Sequence, residues 1–97
     1  MRRVSVHILN ELRTAIEQVD ASIIALIGER IAIARAIGQV KAEQGRPITD
    51  PAREAAVVAN AARLARDAGL PEEEVRTLYW HLVSLSRNAQ SEESSAP

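Results

Sequence analysis

Apolar residues recur every three or four positions from about His7 to Glu43, the longest regular pattern in the chain. This spacing is typical of one face of an α-helix, and no proline interrupts it. The pattern therefore predicts a long first helix, which Gly45 and Pro47 end. Its apolar stripe has one charged member, Arg30, among Leu12, Ile16, Val19, Ile23, Leu26, Ile33, Ile37 and Val40.

Two shorter helices are predicted after the first one. Asp50 and Pro51 are suited to be the N-cap and the first residue of a second, alanine-rich helix that ends near Gly69. Pro71 and the three glutamates after it indicate the start of a third helix, because negative charge near a helix N-terminus complements its dipole. The apolar stripe of this third helix runs to about Gln90.

The chain is predicted to form one all-α domain of three helices over residues 1–90. Its 97 residues are enough for one domain at most, and they include no Phe, one Trp and one Tyr. The core must therefore consist of Ala, Ile, Leu and Val, which suits closely packed helices. The polar residues 91–97 (SEESSAP) are predicted to be a disordered tail.

The first helix is too long for a compact monomer. Roughly 36 helical residues span about 54 Å. A compact domain of this size has a diameter of about 32 Å. The helix must leave half of its apolar stripe bare or bury it against another chain. We therefore expect an intertwined helical homodimer.

Charge and cysteine content narrow the possible partners. The net charge is -1, with 12 basic and 13 acidic residues interspersed, so neither nucleic acid nor an anionic membrane is an expected partner. The longest apolar stretch, Ile23 to Ile27, is too short to cross a bilayer. The chain has no cysteine, which fits a reducing compartment, and we expect a cytoplasmic protein.

Two cations on the first helix are the first candidates for ligand binding. Arg30 lies within the apolar stripe, where a charge is costly unless it is paired or meets an anion. Lys41 is eleven residues further on, only about 20° around the same face and about 16 Å away. Two long side chains at this spacing can converge on a small ligand. The alternative is structural, with Arg30 either paired with Glu29 or Glu54 or extended to solvent.

Uncharged and acidic candidates lie on the other two helices. A capping box would place an acidic residue at the position of Arg53, so Glu54 is not needed for capping and can serve a ligand, or simply interact with the helix dipole. Ser86 and Gln90 continue the stripe of the third helix with small polar groups. His7 and His81, in contrast, have no partners at metal-ligand spacing, so neither a metal nor a cofactor is expected.

The candidates fall within five short motifs along the chain. These are Leu12-Arg13-x6-Asp20, Glu29-Arg30, Gly38-x2-Lys41, Arg46-Pro47-Ile48-x-Asp50-x2-Arg53-Glu54 and Ser86-x3-Gln90. In their order and spacing they resemble the all-helical chorismate mutases over about residues 12–90. The resemblance implies the rearrangement of chorismate to prephenate, an intramolecular shift that needs no covalent catalysis. A non-catalytic helical dimerisation module would require all the matched polar residues to be coincidental.

The resemblance also implies roles at the two substrate carboxylates. Arg13 and Arg30 would bind them, since a guanidinium meets a carboxylate with two parallel hydrogen bonds. Ser86 would support the carboxylate on the ring, and Arg53 would brace the site. Arg13 and Arg30 are about 25 Å apart along one helix, so the Arg13 of a site would have to come from the second chain.

At the reacting atoms, the resemblance implies that Lys41 and Gln90 donate to the ether oxygen, where negative charge develops. Glu54 would accept a hydrogen bond from the ring 4-hydroxyl, helped by contacts at Asp50. One departure from the family is Arg87, where an apolar residue is expected; it either points to solvent or indicates a modified substrate. A 4-amino-4-deoxychorismate mutase therefore stays an alternative, as does an isochorismate-pyruvate lyase, although Glu54 argues against the lyase.

Overall fold

The computed structural model describes the backbone of residues 2–95 and the side chains of residues 5–92. It contains three helices, α1 (Arg2–Glu43), α2 (Pro51–Asp67) and α3 (Glu72–Ser95). The predicted all-α class, with three helices and a long first one, is confirmed. Within the described residues, none of these helices has a long enough apolar stretch to cross a membrane.

The helix ends follow from local chemistry. The Asp50 side chain accepts a hydrogen bond from the Arg53 amide at 3.1 Å and caps α2, with Pro51 as the first helical residue. Gly45 and Gly69 end α1 and α2 with φ of 65° and 73°, a left-handed conformation that glycine adopts without steric cost. The predicted starts and stops between the three helices are confirmed.

The outer ends of α1 and α3 differ from the prediction. Helix α1 begins at Arg2 rather than near His7, and α3 continues to Ser95 rather than ending near Gln90. Residues 91–95, which the sequence analysis assigned to a disordered tail, belong to α3 in this structure. Polar composition alone does not stop a helix, and neither glycine nor proline occurs between Gln90 and Ser95. Residues 96 and 97 lie outside the described part.

Helix α3 is central to the packing. Both other helices pack against it, and within the described residues no Cα atom of α1 comes within 8 Å of one in α2. The buried apolar core is made of small side chains, which lets the helices approach closely. Its members are Ala34 of α1, Val58, Ala61, Ala62 and Ala65 of α2, and Val83 and Ala89 of α3.

The N-terminal half of α1 has no partner within the chain. Every described residue from Ser5 to Leu26 is exposed, including large apolar side chains such as Leu12 at 62% and Ile24 at 68%. The molecule extends 65 Å along its longest axis, with a radius of gyration of 18.3 Å. A compact domain of this length would have a radius of gyration of about 12–13 Å. The predicted excess length of α1 is thus confirmed.

Helices α1 and α3 are in backbone contact at Gly38. A Cβ atom at this position would lie 2.7 Å from both the Cα atom and the carbonyl oxygen of Gln90. Real Cβ atoms do not approach backbone this closely, so only glycine fits without a shift of one helix. The contact brings the last turns of α1 against the C-terminal part of α3.

We expect Gly38→Ala to lower the free energy of unfolding by about 1–3 kcal/mol, because the added methyl group overpacks a backbone contact. This loss should outweigh the helix propensity of alanine, about 1 kcal/mol. The matched control is Gly28→Ala in the same helix, where an added Cβ meets nothing within 4 Å. That variant should be neutral or more stable. Urea unfolding at one protein concentration measures both, and equal changes would contradict the steric argument.

Candidate active site

A cavity of about 330 Å³ lies between α1 and α2, on the side of α3 that both helices pack against. Such a volume is at the lower end of the range for sites that bind small molecules. The cavity wall combines apolar and charged side chains. It is lined by Arg30, Ile33, Ala34, Ile37 and Lys41 of α1, Asp50, Arg53, Glu54 and Val57 of the α2 segment, and Val83, Ser86, Arg87 and Gln90 of α3.

The structure brings together seven of the eight residues that the sequence analysis selected as substrate-binding. Two of them lie on α1 and four on α2 and α3, so the fold brings together residues that are distant in sequence. The seventh is Asp50, the N-cap of α2. The seven are Arg30, Lys41, Asp50, Arg53, Glu54, Ser86 and Gln90.

At one end of the cavity, Arg30 is held by α3. Its guanidinium donates a hydrogen bond to the Ser86 hydroxyl, which in turn donates to the carbonyl oxygen of Leu82 at 3.0 Å. Ser86 is 8% exposed, so this anchor is buried. Because the partner of Arg30 is a neutral hydroxyl, that hydrogen bond leaves the positive charge of the guanidinium uncompensated. This arrangement can receive an anion.

Lys41 is held between the α1–α2 loop and α3. Its ammonium group donates to the carbonyl oxygen of Ile48 at 3.2 Å and to the side-chain oxygen of Gln90 at 3.1 Å. The Gln90 oxygen is thereby used as an acceptor, while its amide nitrogen still has donor capacity. The close approach of α1 and α3 at Gly38 makes this contact possible. Lys41 and Gln90 thus form a paired set of donors on the cavity wall.

Glu54 and Arg87 form an ion pair with two parallel hydrogen bonds on the cavity wall. Arg87 donates from Nε to one carboxylate oxygen at 2.9 Å and from Nη2 to the other at 2.8 Å. The hydrogen bonds from Arg87 lower the pKa of Glu54, and its positive charge acts in the same direction, whereas burial opposes both. The same contact raises the pKa of Arg87. Glu54 is therefore an ionised carboxylate at neutral pH.

Asp50 and Arg53 lie at the start of α2. Asp50 uses its side chain to cap the helix, which accounts for its position without any ligand. Arg53 is exposed overall while lining the cavity. Arg53 occupies the capping-box position. Glu54, one residue later, therefore does not cap the helix and instead accepts a hydrogen bond from Arg87.

Arg13 is the one selected residue that the chain does not bring to the cavity. It is exposed on the part of α1 that has no intramolecular partner. Along the helix it lies about 25 Å from Arg30, farther than either side chain can reach.

Arg87 was not among the selected residues, although it lines the cavity. The sequence analysis left open whether it points to solvent or indicates a modified substrate, and the structure places its guanidinium beside Glu54. The available signal was its position next to Ser86, together with the departure from the expected apolar residue. The partner, 33 positions away, could not be chosen from the sequence. Within the described residues, no three His, Asp or Glu side chains are grouped as metal ligands.

Comparison with known proteins gives several relatives. Over 84 residues the chain is 27% identical to the chorismate mutase of Methanocaldococcus jannaschii, covering 87% of this chain and 85% of that protein. It is 33% identical over 84 residues to the 4-amino-4-deoxychorismate mutase of Streptomyces pristinaespiralis, covering 65% of that protein. With the bifunctional chorismate mutase/prephenate dehydratase of Aquifex aeolicus, it is 32% identical over 79 residues but spans 22% of that relative's length.

The family model described as chorismate mutase type II matches residues 12–91. That range includes all the residues that line the cavity, and it extends to Arg13 on the exposed half of α1. The match covers most of the sequence and agrees with the three-helix architecture. The chain therefore belongs to the chorismate mutase type II family.

Proposed function

We propose that this chain catalyses the rearrangement of chorismate to prephenate. The observation that carries the proposal is the pairing of Lys41 with Gln90, 3.1 Å apart, in a cavity that also holds Arg30 and Glu54. Family membership and the chorismate mutases among the relatives support the same reaction.

The chemistry fits a site that provides cations, hydrogen-bond donors and one carboxylate. In this intramolecular reaction one C–O bond breaks and one C–C bond forms, and no group or electron leaves the molecule. No nucleophile or co-reactant is required. Negative charge gathers on the ether oxygen as its bond breaks, so Lys41 and the Gln90 amide would stabilise the transition state more than the bound substrate.

The two substrate carboxylates require cations at separate positions. Arg30 would bind one of them, because its guanidinium is anchored by Ser86 and can present donors to an anion. Holding the side chain of the substrate over its ring, in the reactive conformer, would supply much of the remaining rate enhancement.

The substrate's ring hydroxyl is a donor and needs an acceptor. Most polar side chains in the cavity are donors, and Asp50 already accepts from the Arg53 amide. An ionised carboxylate has about four acceptor positions, so Glu54 can accept from a hydroxyl while it holds Arg87. We therefore assign the ring 4-position to Glu54.

The active unit is proposed to be a homodimer with two shared sites. The support is the exposed apolar face on the N-terminal half of α1, which a second copy would bury. Arg13 lies at the border of this face, near Leu9 and Ile16 on the helix surface. In an antiparallel pair of α1 helices, Arg13 of one chain would reach the cavity of the other and provide the second carboxylate contact.

A second candidate is 4-amino-4-deoxychorismate mutase activity, which the Streptomyces relative favours. The reaction at the ether oxygen would be the same, and only the ring substituent beside Glu54 would differ. The two candidates are distinguished by their substrates.

We expect the purified chain to convert chorismate to prephenate in the presence of a metal chelator, because no step requires an electrophilic metal. Chorismate, isochorismate and 4-amino-4-deoxychorismate are offered separately, and the products are identified by chromatography and mass spectrometry. Absence of prephenate, or activity that a single added metal restores, would contradict this function.

Replacing Lys41 by Ala should lower kcat and kcat/KM together by about 10²-fold or more, because the lost contact strengthens in the transition state. Arg35→Ala is the matched control, since Arg35 is also a cation of α1 with a partner on α3 but is 51% exposed and outside the cavity. It should leave both constants nearly unchanged. A change confined to KM in the Lys41 variant would show that Lys41 only binds substrate.

Arg13→Ala and Arg30→Ala should each be nearly inactive, whereas the two variants refolded together at equal ratio should recover roughly a quarter of the native activity. About half the dimers are then mixed, and each has one intact site. The control mixes Arg30→Ala with Lys41→Ala, which damages both sites of a mixed dimer and should give no recovery. If native mass spectrometry confirms mixed dimers but activity does not return, the shared-site arrangement is wrong.

A further inference from the structure

The Glu54–Arg87 pair joins α2 and α3 at the cavity wall, and Arg87 has no role in the reaction as proposed so far. Both carboxylate oxygens of Glu54 receive a hydrogen bond from the fork of Arg87, at 2.8 and 2.9 Å. The Glu54 side chain is 17% exposed and that of Arg87 is 37% exposed. The pair is therefore partly shielded from solvent while both members remain in contact with the cavity.

The pair changes what Glu54 offers to a ligand. Each carboxylate oxygen keeps acceptor capacity, so a neutral hydroxyl can still donate to it. The net charge of the pair is zero, however, because the guanidinium compensates the carboxylate at hydrogen-bonding distance. An ammonium group at the same position would meet Arg87 as a like charge, and this repulsion would offset its attraction to Glu54.

The other charges near Glu54 do not reverse this balance. Lys41 and Asp50 both act electrostatically on the Glu54 carboxylate, with opposite signs. Arg53 adds a further positive charge to the cavity wall. A cationic substituent on the substrate ring, beside Glu54, would thus lie in a cavity that already contains more cations than carboxylates.

We propose that Arg87 determines the substrate specificity of this site by occupying the cationic partner position of Glu54, which selects a hydroxyl over an ammonium group at ring position 4. This inference rests on the proposed function and on the assignment of Glu54 to that ring position. It makes Arg87 a specificity-determining residue rather than a group that acts on the breaking bond.

The test compares kcat/KM for chorismate and for 4-amino-4-deoxychorismate in the wild type, Arg87→Met and Arg87→Lys. The wild type should prefer chorismate. Arg87→Met removes the charge while keeping a long side chain, and it should shift the ratio toward the amine by about tenfold or more. Arg87→Lys keeps the charge and should retain the wild-type ratio within about threefold. A ratio is used because a general loss of folding affects both substrates alike.

The outcomes separate this inference from the proposed function. A wild type that converts neither substrate overturns the proposed function and the inference with it. An active wild type that prefers the amine, or an Arg87→Met ratio unchanged within twofold, overturns the inference alone. If Arg87→Met does not fold by circular dichroism, Arg87→Gln, which also removes the charge, provides the same comparison. An equal shift in Arg87→Lys would show that geometry rather than charge sets the ratio, and this too overturns the proposal.

Discussion

At Gly38 the backbone of α1 lies against the backbone of α3, with no room for a side chain between them. The rest of the cavity depends on this approach. It brings Lys41 within hydrogen-bonding distance of Gln90, and about two helical turns before Gly38 it allows Arg30 to reach Ser86. The small buried side chains Ala34 and Ala89 serve the same end, because larger ones would hold the helices apart. Close packing and site geometry are therefore one constraint.

The length of α1, in contrast, leaves part of this helix without packing. Its C-terminal half packs against α3, whereas its N-terminal half carries large apolar side chains that remain exposed. Burial of such side chains contributes about 1.5–3 kcal/mol each, so leaving them in water forgoes a large part of the stabilisation available to a short chain. The same bare segment carries Arg13, which is the second carboxylate contact in the proposed shared site. In the proposed dimer, the stability of the chain and the completeness of the site would thus depend on the same surface.

The electrostatic role of each charged side chain in the cavity depends on the residue with which it pairs. Arg30 is anchored by a neutral hydroxyl and keeps its charge for an anion, whereas Arg87 is compensated by Glu54. Lys41 lies between a backbone carbonyl and an amide, which orient it without neutralising it. Two arginines on the same cavity wall therefore have different electrostatic roles, and the difference comes from the residue that each one meets.

By itself the sequence determined the helical class, the ends of the helices from residues 43 to 72, the excess length of α1 and most of the residues in the cavity. Periodicity, the Asp50 cap and the terminating glycines act over a few residues, so they can be recognised without the fold. The tertiary structure decided which polar groups pair.

The rotation of α2 relative to α3 turns Arg87 toward Glu54, 33 positions away. The contact at Gly38 likewise depends on how two helices cross. The continuation of α3 to Ser95 was missed because polar residues allow a helix as readily as a tail. Pairing between helices depends on their relative placement, which no local pattern encodes.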